Sequence, residues 1–358
     1  MRERFPVRAA LAVSVAVLVG YLVTLAPSVT FWDAGEFITA ARTLGIPHPP
    51  GTPLFVLLAN VWGRLMPLGE FAWRINLLSG VCTAAAAGCW FLVVHDIVVR
   101  MHPEIDDRSR TALSVLGGIA AALITSFSFT AWQSATETEV YAVTTLSTAL
   151  IALLVSRWRT QRDMAGGSRL LLATLYLGAL SIGNHLMGLL VGPALIAALM
   201  VEARRSPLVD PMQRRGEWGR IGIVAAAWLL LIGVGLGNTV LTIAGGLLFV
   251  VAMAIGSKAG QFRFAMIALV LVVVGASTFA FLYLRAQQHP WLNSGDPSTW
   301  HRLLDVVRRA QYPPRTPFDD PTVMPGPGNP GRTGTLLAYQ VANYAQYFDW
   351  QWASGFGE

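Results

Sequence analysis

Two carboxylates and an imidazole close to the start of the chain have the types and spacing to move a proton. Thr30-Phe31-Trp32-Asp33-Ala34-Gly35-Glu36-Phe37 is followed by Ile46-Pro47-His48-Pro49-Pro50-Gly51, between two apolar segments. Three residues apart, Asp33 and Glu36 share one face of a helix. A helix cap accounts for them without any chemistry, with Asp33 at the N-cap and Glu36 reaching back in a variant of the capping box. Their position beside a bilayer argues for more, since ionisable groups are costly there and serve function by default. A capping role and a general-base role are compatible. His48 lies in a rigid corner, because each X-Pro pair is held extended and Gly51 permits a sharp turn. It is either a satisfied polar group of that reversal or a participant in the reaction.

A second acidic cluster, Ser134-Ala135-Thr136-Glu137-Thr138-Glu139-Val140-Tyr141, opens a later apolar run. Ser134/Glu137 and Thr136/Glu139 both have capping-box spacing. Only one helix start is present, so one glutamate is left over for substrate contact. Asn184-His185 separates two apolar runs and can hydrogen-bond across a helical hairpin or bind substrate. Arg42, Arg64, Arg74 and Arg285 oppose the charge bias described below. They either snorkel toward headgroups or gather to clamp a phosphate. No Gly-rich phosphate loop, metal-spaced Cys/His cluster or serine-hydrolase signature is present.

The elements that position these groups are membrane helices. The chain has 358 residues, 54% apolar and 13% charged, with a mean hydropathy of +0.52; soluble domains carry about a quarter charged residues. Apolar runs near the length that crosses a core about 30 Å thick occupy 9–26, 72–99, 112–131, 139–157, 169–185, 186–202, 220–237, 239–257 and 264–284. The fold class is an all-α polytopic membrane protein of about nine spans. Segment 53–68 is short, broken by Arg64 and bounded by Pro53 and Pro67. Leaving it uncrossed puts 17 of the 26 basic residues on one side, which the positive-inside rule makes the cytoplasm. Residues 27–71 then form a long first extracytoplasmic loop with interfacial helices, and 132–138, 184–187 and 285–358 share its compartment. Arg2, Arg4 and Arg8 with the first run read as a retained signal anchor, with a secretory signal cut near Ala26 as the alternative. The net charge of +6 reflects loop orientation rather than a nucleic-acid partner. Cys82 and Cys89, seven apart on one helix, are too distant for a disulfide.

Residues 1–285 form the transmembrane domain. Residues 286–358 hold an amphipathic helix, a Pro/Gly-rich loop at 313–333 and an aromatic-rich approach to the membrane. Asp296 before Pro297 is the expected N-cap of that helix. Trp300, Leu303, Leu304 and Val307 form a stripe suited to lying on the membrane.

Trp32-Asp33-Ala34-Gly35-Glu36-Phe37 and His48-Pro49-Pro50-Gly51-Thr52-Pro53-Leu54 resemble the signature of the bacterial protein O-mannosyltransferase-like membrane family, domain-of-unknown-function family 2723. Thr136-Glu137-Thr138-Glu139-Val140-Tyr141, Gly183-Asn184-His185 and Trp291-Leu292-Asn293-Ser294-Gly295-Asp296-Pro297 resemble its later blocks, in order. Family members generally continue with further spans, which implies that this chain is truncated at its C-terminus. The resemblance implies a GT-C glycosyltransferase of the bacterial inner membrane, with a cytoplasmic N-terminus and an extracytoplasmic site. It implies a polyprenyl-phosphate-linked sugar donor, an exported protein or glycan acceptor, and membrane lipids as partners. Asp33 and, beside it, Glu36 are the implied catalytic residues. His48, Arg74, Glu137, Glu139, Tyr141, Asn184, His185 and Asp296, which the charge-derived topology places on the same outer face, are the candidate substrate-binding set.

The physics agrees. A hydroxyl nucleophile needs a positioned base, worth roughly 10²–10⁴-fold, and a phosphate leaving group calls for fixed donors rather than a protonated acid. No cofactor or metal is required, nor does the chemistry forbid a divalent ion. The expected reaction is inverting transfer of a hexose, mannose first, to Ser/Thr of exported proteins. Transfer to a lipid-linked glycan or cell-wall polymer is the alternative, and a lipid-linked-sugar flippase the non-enzymatic one. A flippase predicts charge at mid-bilayer, whereas the charges here gather at the outer edge.

Overall fold

In hydrocarbon every backbone N–H and C=O must find its partner inside the chain, which selects helices. The computed structural model describes residues 6–162, 165–205, 210–312 and 316–352, and among them the regular structure is helical apart from one bridge, Ile46 to Asn293. The helices are α1 Val7–Thr24, α2 Ala34–Thr43, α3 Pro53–Leu65, α4 Phe71–Met101, α5 Asp107–Ser126, α6 Phe129–Thr136, α7 Val140–Gln161 and α8 Ala165–Ser181. They continue as α9 Gly192–Arg204, α10 Pro211–Gly235, α11 Thr239–Ser257, α12 Phe262–Ala276, α13 Ala280–Ala286, α14 Trp300–Arg308 and α15 Gly334–Trp350. A 3₁₀ turn over Leu186–Val191 leads into α9, and another over Ser277–Phe279 joins α12 to α13. The protein is an all-α polytopic membrane protein.

Eight of the described helical segments are long and apolar enough to cross a membrane, among them the continuous runs Leu186–Arg204 and Phe262–Ala286. Segment 169–185 of the sequence reading corresponds to α8, which at 17 residues is about 26 Å long. It nevertheless runs the height of the bundle. Near its start Arg162 meets Glu202 and Glu217, and just beyond its end Gly183 O accepts the Leu54 N–H (2.8 Å).

That second contact belongs to a set which gathers the connections at one end of the bundle, here the site end. Ile46 N–H donates to Leu292 O (2.8 Å), Ser294 N–H to Ile46 O (3.0 Å) and Ala26 N–H to Thr136 O (2.9 Å). Arg308 Nε donates to Gly237 O (2.9 Å). The opposite, basic end holds the Arg162 pairs and Arg100 against Asp96 (2.7 Å), with Ser156 also donating to Asp96. The parity inferred from charge is therefore the parity of the packing. At 13 residues, about 20 Å, α3 stays at the site end, where Arg74 at the head of α4 reaches Gly63 O (2.9 Å). Cys82 and Cys89 are both free thiols.

Large side chains fill the middle: Trp158, Leu171, Leu175 and Trp228 between α7, α8 and α10, and Val17, Tyr21 and Phe91 between α1 and α4. A third cluster, Phe37, Phe55 and Ile75, fastens the first loop to α4.

Two details of the tail differ from the sequence reading. Asp296 is not the cap of α14. It lies in the left-handed region (φ 41°), while Thr299 is the N-cap and its Oγ1 accepts the Arg302 N–H. The apolar stripe of α14 is only partly free for the membrane, with Trp300 and Leu304 exposed. Leu303, Val306 and Val307 are buried in the main core, and Trp300 packs edge-on against Tyr283 at 6.1 Å.

Candidate active site

Asp33 occupies the N-cap of α2 but makes no capping hydrogen bond with its side chain. Glu36 does not reach back to it. One Glu36 oxygen accepts the His48 backbone N–H (2.8 Å), and the other lies 2.5 Å from His48 Nδ1. Both carboxylate oxygens are thus committed to His48, so the pair is not a capping box. The other imidazole nitrogen, Nε2, faces the Asp33 carboxylate at 4.0 Å. The rigid corner therefore threads an imidazole between two carboxylates three residues apart. Phe37 packs against its ring at 5.5 Å.

The charges respond to this arrangement. Burial pushes the Glu36 carboxyl up, but the two His48 hydrogen bonds, the nearby imidazole charge and a Ser294 hydrogen bond outweigh it and hold Glu36 below its ordinary value. The Glu36 hydrogen bond raises His48 above the usual imidazole range; burial opposes this, and the charges of Glu36, Asp33 and Glu139 reinforce it. Asp33, Glu36 and His48 each offer one ligand atom, all within 4.8 Å of one another, so among the described residues this group could hold a metal ion. Filling that site would require the Glu36–His48 hydrogen bond to open.

Asn76 of α4 fixes this corner to the second acidic cluster. Fully buried, it donates to Ala26 O and Ser28 O (both 2.9 Å) and accepts from the Thr138 hydroxyl (2.6 Å). Neither capping box in the second cluster forms. α6 ends at Thr136, whose hydroxyl turns back to Trp132 O (3.0 Å), and Glu139 stands at the N-cap of α7 without a side-chain cap bond. Burial, then repulsion from Glu137 and Asp33, pushes the Glu139 carboxyl up to about 7. Glu137, Glu139 and Tyr141 share a cavity of about 590 Å³ with Gln133, Ser134 and Thr145. Two carboxylates and a half-exposed ring are the side-chain types that bind sugar hydroxyls and ring faces.

His185 borders this cavity through Tyr141, ring to ring at 5.1 Å. Its Nδ1 accepts the Met187 N–H (3.2 Å), which leaves the Nε2–H as a donor in the neutral ring. Burial and the neighbouring Arg309 charge keep the imidazole below its ordinary value, and so neutral. Asn184 points the other way. Its amide is buried and donates to Val140 O (3.0 Å) and Thr144 Oγ1 (2.8 Å), pinning α8 to α7.

Residues 33–208 match the family model described as the Protein O-mannosyl-transferase TMEM260 N-terminal domain. The matched segment opens on Asp33. The chain is similar to the protein O-mannosyl-transferases. One relative is the mouse Protein O-mannosyl-transferase TMEM260, 38% identical over 151 residues, which is 42% of this chain and 20% of that protein. Another is the Dictyostelium discoideum Protein O-mannosyl-transferase tmem260, 29% identical over 136 residues, 37% of this chain and 15% of that protein. The chain thus spans about a fifth or less of the length of these curated relatives. No solved structure matches it.

The part similar to the O-mannosyl-transferases holds Asp33, Glu36, His48, Arg74, Glu137, Glu139, Tyr141, Asn184 and His185; Asp296 lies beyond it. Asp33, Glu36, His48 and Glu139 come together electrostatically, and Glu137, Tyr141 and His185 continue from Glu139. Arg74 does not join them. Its guanidinium donates to Gly63 O, Leu68 O and Gly69 O and clamps the turn between α3 and α4. Asp296 accepts from Arg302 and Asn293 and orders the loop before α14. Arg309, absent from the candidates read from the sequence, is half-buried beside His185. Burial holds its guanidinium below the ordinary value. The readable signal was a second arginine directly after the last apolar position of α14.

Proposed function

We propose that this chain carries the catalytic centre of a membrane glycosyltransferase, transferring mannose or a similar hexose from a polyprenyl-phosphate carrier to Ser/Thr hydroxyls of exported proteins. The observation that carries the reading is the Asp33–Glu36–His48 convergence, continuous with the Glu139 cavity, inside the segment similar to the O-mannosyl-transferases. The site end then faces the extracytoplasmic compartment and the basic end the cytoplasm.

Asp33 is the base. Its carboxylate is exposed and makes no capping bond, so it can take the proton as the acceptor oxygen bonds to the sugar C1. The C1–O bond to the carrier breaks on the opposite face, the configuration inverts, and the carrier leaves as its phosphate. Glu36 is a positioning residue: with both oxygens on His48 it fixes the imidazole edge beside Asp33. Glu137, Glu139 and Tyr141 hold sugar hydroxyls in the cavity. The neutral Nε2–H of His185 and the Arg309 guanidinium supply the donors that stabilise charge growing on the phosphate. No step of this mechanism requires a metal; loss of turnover on adding a chelator would instead put a divalent ion on Asp33, Glu36 and His48.

Transfer from polyprenyl-phosphate-mannose, assayed in the longest natural form of the protein, tests this. Asp33→Asn lowers turnover by roughly 10²–10⁴-fold, the usual worth of a positioned base, without lowering the melting temperature. Wild-type turnover in Asp33→Asn would remove Asp33 from the mechanism. Label recovered in a glycan instead of a Ser/Thr glycopeptide would reassign the acceptor and leave the donor chemistry in place.

A further inference from the structure

We propose that the groove between α10 and α11 at the basic end binds one anionic glycerophospholipid, its chains in the groove and its phosphate among Arg214, Arg215 and Lys258. This site lies at the opposite end from the candidate active site and does not depend on the function proposed for that site.

The groove has a volume of about 1010 Å³, at the upper limit of small-molecule sites, roughly 300–1,000 Å³. Small residues make it. Gly219 brings the helices close enough that a Cβ there would come within 3.2 Å of Gly256 Cα, while a Cβ on Gly222 would meet nothing within 4 Å. The backbones thus touch at one level and leave an open floor at the next. The apolar lining runs along α10 from Trp218 to Leu229, about 16 Å at helical rise. That is the hydrocarbon depth of one leaflet, half of a core about 30 Å thick. Trp218 stands at the mouth, where an indole suits the headgroup level.

Arg214, Arg215 and Lys258 line the same mouth and are exposed. Some other arginines at this end are paired, Arg100 with Asp96 and Arg159 and Arg162 with Glu202, whereas others, such as Arg108 and Arg263, do not line this groove. Among the described residues the side chains of these three cations make no ion pair or hydrogen bond. A groove without cations would suit any apolar chain or helix, and cations without a groove would mark loop orientation only. Their coincidence selects a ligand with hydrocarbon chains and a negative headgroup, each basic group near such a surface contributing about 1 kcal/mol.

Native mass spectrometry of the purified full chain, titrated with phosphatidylglycerol or with phosphatidylcholine of the same chains, tests the site. Phosphatidylglycerol should be retained as a one-to-one adduct at least tenfold more tightly. Arg214→Gln, Arg215→Gln and Lys258→Gln together should bring it to the phosphatidylcholine level. Gly222→Leu, which fills open space and should keep the wild-type melting temperature, should weaken both lipids alike. Glycerol 1-phosphate, the headgroup without chains, should displace neither. Equal retention of the two lipids would overturn the proposal. So would retention unaffected by Gly222→Leu, displacement by glycerol 1-phosphate, or a lipid-free dimer that Gly222→Leu dissociates.

Discussion

At the basic end, acids drawn into the bundle sit against arginines: Asp96 on Arg100, Glu202 on Arg159 and Arg162, and the buried Glu217 near Arg162. At the site end the arginines are turned elsewhere. Arg74 holds the carbonyls of Gly63, Leu68 and Gly69, Arg285 those of Thr43 and Leu44, and Arg308 that of Gly237. Asp296, outside the cluster, pairs with Arg302. Asp33, Glu36 and Glu139 share one imidazole. The same residue types therefore do different work. Acids neutralised by arginine hold helices together, whereas acids without one are left to orient an imidazole or to meet a sugar hydroxyl.

Reciprocal substitutions at the two ends should break this contrast if it is wrong. Asp33→Asn removes turnover by the roughly 10²–10⁴-fold given above and leaves thermal stability unchanged. Arg162→Ala does the opposite. It leaves the largely buried Glu202 and Glu217 short of a cation and should destabilise the fold by about 3–5 kcal/mol, read as a fall in melting temperature. The molecules that remain folded should turn over at the wild-type rate. A catalytic loss in Arg162→Ala beyond its unfolded fraction would mean that the ends are coupled.

Asn76 joins the two halves of the site end, and its removal is the next largest effect. Asn76→Ala strands the carbonyls of Ala26 and Ser28 and the Thr138 hydroxyl, a loss of about 1–3 kcal/mol. It also frees the stretch that carries Asp33 from the start of α7 that carries Glu139. Turnover should fall by about tenfold or more, since small misplacements of reacting groups are expensive in rate. Loss of stability at unchanged turnover would make Asn76 a tether of the fold alone.

Much of the bundle was legible because its evidence is local. Apolar length gives the spans, and basic residues fix their parity. That parity held even though α8 is shorter than its neighbours and α3 is apolar without crossing. The site was legible as residue types but not as roles. Spacing of three made Asp33/Glu36, Ser134/Glu137 and Thr136/Glu139 all look like capping boxes, and none forms. His48 takes Glu36 from twelve residues away, and α6 stops before Glu137. Arg74 leaves the candidate set and Arg309 enters it for a similar reason. Which arginine satisfies carbonyls and which stays open beside His185 depends on contacts across helices, and periodicity carries no trace of those.

Glu139 offers a smaller and more selective test. Its carboxyl titrates at about 7 because burial and the charges of Glu137 and Asp33 oppose ionisation. Above that pH the cavity gains a negative charge facing an anionic donor, so the KM for polyprenyl-phosphate-mannose should rise a few-fold through pH 7. Glu139→Gln, neutral at every pH, should hold the low-pH KM throughout. A break near pH 7 that survives Glu139→Gln would belong to another group and would detach this cavity from the donor.

The Glu36–His48 pair predicts the smallest effect, in stability rather than rate. Glu36 is held below its unfolded value, so its contribution is present above the unfolded value and lost as pH falls through the lowered one. His48 is raised, so its contribution is complete below the ordinary 6.5 and lost as pH rises through the raised value. The pair thus stabilises the first loop most between those limits, in mildly acidic solution. Raising the pH across the raised His48 value should lower the wild-type melting temperature by a few degrees more than that of Glu36→Gln. Parallel curves for the two proteins would mean that the imidazole is held by the proline corner alone. Glu36 would then have no positioning role, and Asp33 would be the one carboxylate of the opening stretch left with work to do.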